Sequence, residues 1–92
     1  MRYRIEYKEE AKEGMRLLKK SGDKQAMRKL DILIEELTLH PMTGTGKPER
    51  LTANLTGKWS RRITEKHRLV YEIFEEIVTV EVIQVYGHYG DK

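Results

Sequence analysis

The chain changes its hydrophobic period twice, and those changes predict its elements. Residues 2–7, Arg2-Tyr3-Arg4-Ile5-Glu6-Tyr7, place an apolar side chain at every second position, as a half-buried strand does. From Lys8 to about Lys20 the spacing becomes helical, with Ala11, Met15 and Leu18 on one face. Gly14 weakens this helix by roughly 1 kcal/mol relative to alanine. Ser21-Gly22-Asp23 interrupts it, and Ser21 or Asp23 can cap a second helix from about Lys24 to Leu39. Ala26, Leu30, Leu33, Ile34 and Leu37 form the buried stripe of that helix. His40-Pro41 ends it, because proline disfavours helix in the residue before it.

Met42-Thr43-Gly44-Thr45-Gly46-Lys47-Pro48 reads as a loop, and beyond it the period returns to two. Strands are expected over Lys58–Thr64, His67–Phe74 and Ile77–Tyr86, with turns at Glu65-Lys66 and Glu75-Glu76. The last of these is apolar on both faces, with Val78, Val80 and Val82 on one and Ile77, Ile83 and Val85 on the other, so it belongs inside a sheet. The expected class is α+β: an N-terminal strand and two helices, then an antiparallel meander, with the helices packed on one sheet face. The opposite face is left to solvent or a ligand.

At 92 residues the chain is expected to form one domain, residues 1–92, near the lower end of what can bury a core unaided. It has no cysteine, which excludes disulfides and thiolate zinc sites. It has no apolar run near the roughly 20 residues of a membrane helix and no signal-peptide core at its start, so a cytoplasmic protein without membrane contact is expected. The net charge is only +3, but its distribution is uneven. Residues 44–69 carry seven bases and two acids, whereas residues 70–92 carry one base and five acids. A concentrated basic excess suggests a surface facing phosphate.

Three histidines, at 40, 67 and 88, lack the spacing of a metal site, and no nucleophile motif or dinucleotide fingerprint is present. The expectation is therefore no metal and no cofactor. RNA can be cleaved on those terms, because its own 2′-hydroxyl is the nucleophile. A base must take the 2′ proton, cations must stabilise charge on the phosphorane, and an acid must protonate the departing 5′ oxygen. Period-two alternation puts Ser60, Arg62 and Thr64 on one face and Trp59, Arg61 and Ile63 on the other. In the next strand Arg68, Val70 and Glu72 share a face, opposite Leu69, Tyr71 and Ile73. With the apolar sets against the helices, Arg62 and Arg68 both aim at the open face, where like charges repel unless an anion sits between them. Arg61 is then structural or at the sheet edge, Trp59 belongs to the core, His67 holds a hairpin, and His40 complements a helix C-terminus.

The runs Gly44-Thr45-Gly46-Lys47-Pro48-Glu49-Arg50-Leu51 and Asn54-Leu55-Thr56-Gly57-Lys58-Trp59-Ser60-Arg61-Arg62-Ile63-Thr64-Glu65-Lys66-His67-Arg68-Leu69-Val70-Tyr71 resemble the YoeB (Txe) branch of the RelE/ParE toxin superfamily. The likeness is strongest over residues 41–72, and the element order agrees along the whole chain. The resemblance implies a RelE/ParE-like fold and a type II toxin that enters the ribosomal A site and cleaves the bound mRNA codon, leaving a cyclic phosphate and a 5′-hydroxyl. It assigns Glu49 as general base, Arg68 as the transition-state arginine, Arg62 as a phosphate contact and His88 as general acid. Tyr89 then helps to place the scissile nucleotide, and Lys47 adds attraction for phosphate or ribosomal RNA. The tail departs from the family pattern: Tyr86-Gly87 precede His88, and Gly90-Asp91-Lys92 extend beyond Tyr89. The resemblance further implies a cognate YefM-like antitoxin, contact with operator DNA only through that antitoxin, and dimers of the free toxin. The rival reading is a non-catalytic module of the same fold, either a gyrase-directed toxin or a co-repressor subunit.

Overall fold

The computed structural model describes residues 2–87. Its elements run β1 (Arg4–Tyr7), α1 (Glu9–Ser21), α2 (Lys24–Leu39), β2 (Glu49–Arg50), β3 (Lys58–Arg62), β4 (Arg68–Phe74) and β5 (Thr79–Gln84), with 3₁₀ turns at Ala53–Leu55 and Glu75–Ile77. One five-stranded sheet has the order β1-β5-β4-β3-β2. β2 to β5 pair antiparallel in sequence, and β1 adds to β5 in parallel. The sheet is therefore mixed, because the helix pair carries the chain across before β2 begins.

Both helices end where the local chemistry requires. Gly22 takes a left-handed conformation and its N–H donates to the Lys19 carbonyl, closing α1. Asp23 accepts from the Ala26 N–H at 3.0 Å and so caps α2. The stripes Ala11, Leu18 and Ala26, Leu30, Leu33, Leu37 are buried against Ile63, Leu69, Tyr71, Val80, Val82 and Val85. Ile34 and Met15 lie at the margin of that core. Gly14 does more than weaken α1: a Cβ there would stand 2.9 Å from the Tyr86 backbone nitrogen. Its bare backbone lets the chain leading to the C-terminus pass directly under the helix.

The strands differ from the periodicity reading in their ends and in one register shift. Glu49–Arg50, which is not among the expected strands, is a short edge strand paired with Ser60 and Trp59. β3 ends at Arg62, and Ile63 and Thr64 instead close the hairpin by donating their N–H groups to the His67 carbonyl. β5 begins at Thr79, since Ile77 lies in a 3₁₀ turn and Val78 has φ 48°, a left-handed conformation outside any ladder. Ladder partners shift between Val70↔Gln84 and Tyr71↔Val82, leaving Ile83 as an extra residue. That bulge reverses the parity of the strand, so Val85 joins Val80 and Val82 on the helix face instead of lying opposite them.

Candidate RNA-cleavage site

The alternation of β3 and β4 brings the two arginines together. Arg62 is the direct partner of Arg68 across the ladder, and both face away from the helices. Directly opposed residues hold their Cβ atoms about 4.5–5.5 Å apart, so the two guanidinium groups share one patch of surface. Ser60, two residues back on the same face, is opposed by Glu49 on β2 and by Val70 on β4. Ser60 and Val70 are each 2% exposed although no helix covers them. They are short side chains between two rows of long ones, Arg62–Arg68 on one side and Lys58–Glu72 on the other.

Gly46, Lys47, Glu49, Ser60, Arg62 and Arg68 together line a shallow cleft of about 40 Å³. One water needs about 10–15 Å³ of such space, so the cleft holds only a few and a phosphodiester would rest across its mouth. The Arg68 Nη1 donates to the Thr64 carbonyl at 3.3 Å. Among the described residues, neither Arg62 nor Arg68 has a carboxylate oxygen within 4.0 Å. Two adjacent cations without a counter-ion are a site that an anion would stabilise.

Lys47 and Glu49 reach this cleft because a buried network fixes the loop that carries them. Arg61 is fully buried on the helix side of β3, with β2 and β4 on either side, so it is structural and away from the sheet edge. Its guanidinium donates to the Glu36 carboxylate at 2.7 Å, to the carbonyls of His40 at 2.8 Å and Thr43 at 2.6 Å, and to the Tyr71 hydroxyl at 3.1 Å. Glu36 also accepts from the Thr45 N–H and hydroxyl. Tyr71 donates onward to the Pro41 carbonyl at 2.7 Å. Burial pushes the Glu36 carboxyl up, but the bonds from Thr45 and Arg61 outweigh it and hold the group below the usual carboxylate range. Burial raises the Tyr71 hydroxyl, with Arg61 opposing the shift.

The loop then docks on β3. The Arg62 N–H donates to the Gly46 carbonyl at 2.7 Å, and a Cβ at Gly46 would approach the Arg62 carbonyl oxygen to 2.9 Å. Gly46 has φ 83°, and Lys47 beside it has φ 51°. A left-handed conformation costs a non-glycine residue about 1–2 kcal/mol, so strain is held next to the cleft by the loop's anchors.

The third contribution comes from the hairpin. His67 is not part of β4; its Nδ1 accepts from the Gly87 N–H at 2.9 Å, and its ring packs on Tyr86 with centroids 4.5 Å apart. The Gly87 carbonyl accepts from the Arg68 N–H at 2.8 Å. Gly87 is therefore pinned at both ends beside Arg68. Burial lowers the His67 imidazole, Asp23 raises it and Lys66 lowers it further. His88 and Tyr89, expected as general acid and positioning aromatic, lie outside the described residues. His40 stands at the C-cap of α2, accepts Arg61 at its carbonyl, and donates from Nδ1–H to the Thr43 carbonyl at 2.9 Å, so it also organises the loop. Trp59 is half-buried against the core, with the Arg50 guanidinium 5.4 Å from its ring. Among the described residues no cluster of histidine, aspartate or glutamate could hold a metal ion.

The structure thus brings Lys47, Glu49, Arg62 and Arg68 together. The sequence reading missed the loop-fixing roles of Glu36, Thr45 and Tyr71, and the place of Ser60 in the cleft floor. One signal was present: parity puts Arg61 on the apolar face, and a buried cation requires a buried acid and acceptors.

Known proteins resemble this chain in sequence and in fold. A family model described as YoeB-like toxin of bacterial type II toxin-antitoxin system matches residues 7–89. A toxin YoeB of Synechocystis is 50% identical over 52 residues, which is 56% of this chain and 60% of that protein. The toxin YoeB of Escherichia coli is 47% identical over 58 residues, covering 63% of this chain and 69% of that one. Among solved structures, a YoeB/ParE toxin from Agrobacterium tumefaciens superposes with a TM-score of 0.85 at 32% identity, over 94% of this chain and 99% of that one. The YoeB dimer from Staphylococcus aureus superposes with a TM-score of 0.80 at 32% identity, over 97% of this chain and all of that one. No helix among the described residues is long and apolar enough to cross a membrane. With the family model spanning both the arginine pair and the loop that faces it, the chain belongs to the YoeB-like toxins of bacterial type II toxin–antitoxin systems.

Proposed function

We propose that this chain is a metal-independent endoribonuclease that cleaves mRNA in the ribosomal A site and so halts translation. The observation that carries the reading is the opposed pair Arg62 and Arg68, without a carboxylate partner among the described residues, in one cleft with Glu49. Glu49 takes the proton from the 2′-hydroxyl as its oxygen attacks phosphorus. Arg62 and Arg68 hold the non-bridging oxygens and stabilise the charge that grows on the phosphorane, while Lys47 draws the strand in. His88 protonates the departing 5′ oxygen, and Tyr89 steadies the nucleotide. The products are a cyclic phosphate and a 5′-hydroxyl. An imidazole with a reference pKa near 6.5 serves as acid when phosphate nearby holds its proton.

A cognate antitoxin of the YefM kind is the proposed partner, since a solved Staphylococcus aureus relative is a YoeB–YefM complex with 31% identity and a TM-score of 0.79. The basic excess of residues 44–69 suits an acidic, partly disordered segment covering the cleft. Self-association is proposed from the dimer of the same organism's toxin. Contact with operator DNA would run through the antitoxin, and the place of action is the cytoplasm.

Primer extension on translating ribosomes tests the reading. The intact chain is expected to cut within A-site codons, and Glu49→Gln, Arg68→Ala and His88→Ala are each expected to abolish the cuts. An intact chain that leaves the message whole while still arresting growth would favour the gyrase-directed or co-repressor alternative.

A further inference from the structure

A second cleft, of about 240 Å³, opens at the end of the β2–β3 ladder and is lined by Arg50, Leu51, Thr56, Gly57, Lys58 and Trp59. Clefts that hold drug-sized ligands run to roughly 300–1,000 Å³, so this one is scaled to a single planar ring system. The charged residues in its walls, Arg50 and Lys58, are of one sign. From residue 50 to residue 64 the chain has four bases and no acid. The exposed Arg50 guanidinium stands 5.4 Å from the centre of the Trp59 ring and, among the described residues, has no carboxylate within 4.0 Å. Gly57 lends no side chain to the cavity, and a Cβ there would meet nothing within 4 Å.

The position of this cleft is set by the edge strand. Glu49 and Arg50 are consecutive residues of β2, so their side chains leave opposite sides of it: Glu49 opposes Ser60 at the arginine pair, and Arg50 opposes Trp59. A strand of RNA held at Arg62 and Arg68 has two ways to continue over the sheet. Along the open face it would cross Glu72, Glu81 and Glu6, which are ladder partners in one row. Over the β2 edge it would meet Lys58 and Arg50. Lys58 is the ladder partner of Glu72 at the β3 end of that row, 3.9 Å from its carboxylate, and it also lines the second cleft. Charge closes the first route and opens the second.

We infer that the Arg50–Trp59 cleft is a subsite for a base flanking the scissile phosphodiester, stacked on the guanidinium–indole pair with Lys58 at its phosphate. Arginine planes and aromatic rings accept any base by stacking, so this subsite adds affinity and register with little sequence preference. The inference rests on the ribonuclease reading above and extends it to the path of the substrate.

The test uses ribosomes programmed with messages carrying one 4-thiouridine just upstream or just downstream of the A-site codon, and the Glu49→Gln chain to keep the message whole. Irradiation is expected to link one of the two positions to the peptide spanning residues 50–59. In parallel, Arg50→Ala in the otherwise intact chain is expected to raise the toxin concentration for half-maximal cleavage about fivefold, the low end of what one stacked base supplies. Arg50→Lys keeps the charge but loses the plane, and is expected to recover only part of that loss. Cleavage by the intact chain together with links confined to other segments, and no effect of Arg50→Ala, would overturn the subsite and leave the ribonuclease standing. Links from residues 50–59 to a ribosomal protein instead of the message would overturn it in favour of a protein contact. No cleavage by the intact chain would remove the ribonuclease reading itself.

Discussion

The open face of the sheet is two regions with opposite charge and opposite degrees of compensation. At one end Arg62 opposes Arg68; at the other Glu6, Glu81 and Glu72 stand in a row across β1, β5 and β4. Like charges directly opposite on a sheet are unfavourable in both places. The acidic row is partly answered, since Lys58 lies 3.9 Å from Glu72 and Arg4 lies 3.7 Å from Glu6. Among the described residues the arginine pair has no such answer, and Glu49 shares the cleft without closing an ion pair. A surface with uncompensated repulsion at one end and diluted repulsion at the other would be stabilised by an anion at the first.

The largest effect expected from that contrast is on cleavage. Arg68→Ala removes preorganised charge at the phosphorane and is expected to slow single-turnover cleavage on ribosomes by about 10²–10³-fold. Glu49→Gln removes the base and is expected to cost about 10²–10⁴-fold. Neither change should lower thermal stability, because Glu49 is exposed and Arg68 loses a repelling neighbour along with one weak bond to Thr64. An unchanged cleavage rate in Arg68→Ala would reduce the arginine pair to ordinary surface charge.

Arg61 and Arg62 sharpen the point, for they are neighbours in sequence with opposite tasks. Arg61→Ala strands the Glu36 carboxylate and several loop carbonyls that now have a donor. Breaking one side of a buried ion pair costs about 3–5 kcal/mol, which in a domain of this size shifts the melting midpoint by more than 10 °C. Because Glu36 is partly exposed, the lower end is expected. Arg62→Ala is expected to leave the midpoint unchanged and to weaken only cleavage. Equal melting midpoints for the two variants would mean that the loop carrying Lys47 and Glu49 is held by something other than the Arg61 network.

Much of this was legible in the chain. The two helices, their boundaries near Asp23 and Pro41, and the interior place of β5 follow from period and punctuation, since those depend on local pattern alone. The shared face of Arg62 and Arg68 was legible for the same reason: parity survives a hairpin whose turn is short. What escaped depends on partners far away in sequence. Glu49–Arg50 is a strand only because Ser60 and Trp59 offer it a ladder. The bulge at Ile83 cannot be seen in an apolar run whose two faces look alike, and without it Val85 takes the wrong side. Gly14 looked like a weak point in a helix because Tyr86, the residue that needs its missing side chain, lies far along the chain.

The link between the basic end and the C-terminal segment is titratable. His67 accepts the Gly87 N–H through Nδ1, which it can do only while that nitrogen is unprotonated. Burial, opposed by Asp23 and assisted by Lys66, holds its imidazole below the usual value of 6.5. The unfolded chain therefore binds this proton more readily than the fold does. The contribution of the contact is complete above about pH 6.5 and is lost as the pH falls through the lowered native value. A His67→Phe variant keeps a ring against Tyr86 but cannot titrate. The difference in melting midpoint between the intact chain and this variant, measured from pH 8 down to pH 5, is expected to shrink as the medium becomes acid. A constant difference would show that the pin on Gly87 does not depend on His67 as an acceptor.

The smallest expected effect lies in the acidic row. Glu81 stands between two carboxylates, Glu6 on β1 and Glu72 on β4, and among the described residues no cation lies within 4.0 Å of it. Glu81→Gln keeps the shape and removes both repulsions, so a gain of about 0.2–1 kcal/mol is expected. The gain should fade as salt rises, because screening already weakens repulsion between charges near the surface. Cleavage on ribosomes should be unaffected by Glu81→Gln, whereas Glu81→Lys should open the open face to phosphate and weaken the dependence on Arg50. The two substitutions separate two uses of one row. If only stability responds, the carboxylates are a tolerated local cost. If Glu81→Lys also releases cleavage from its need for Arg50, the row is the wall that turns the RNA over the β2 edge.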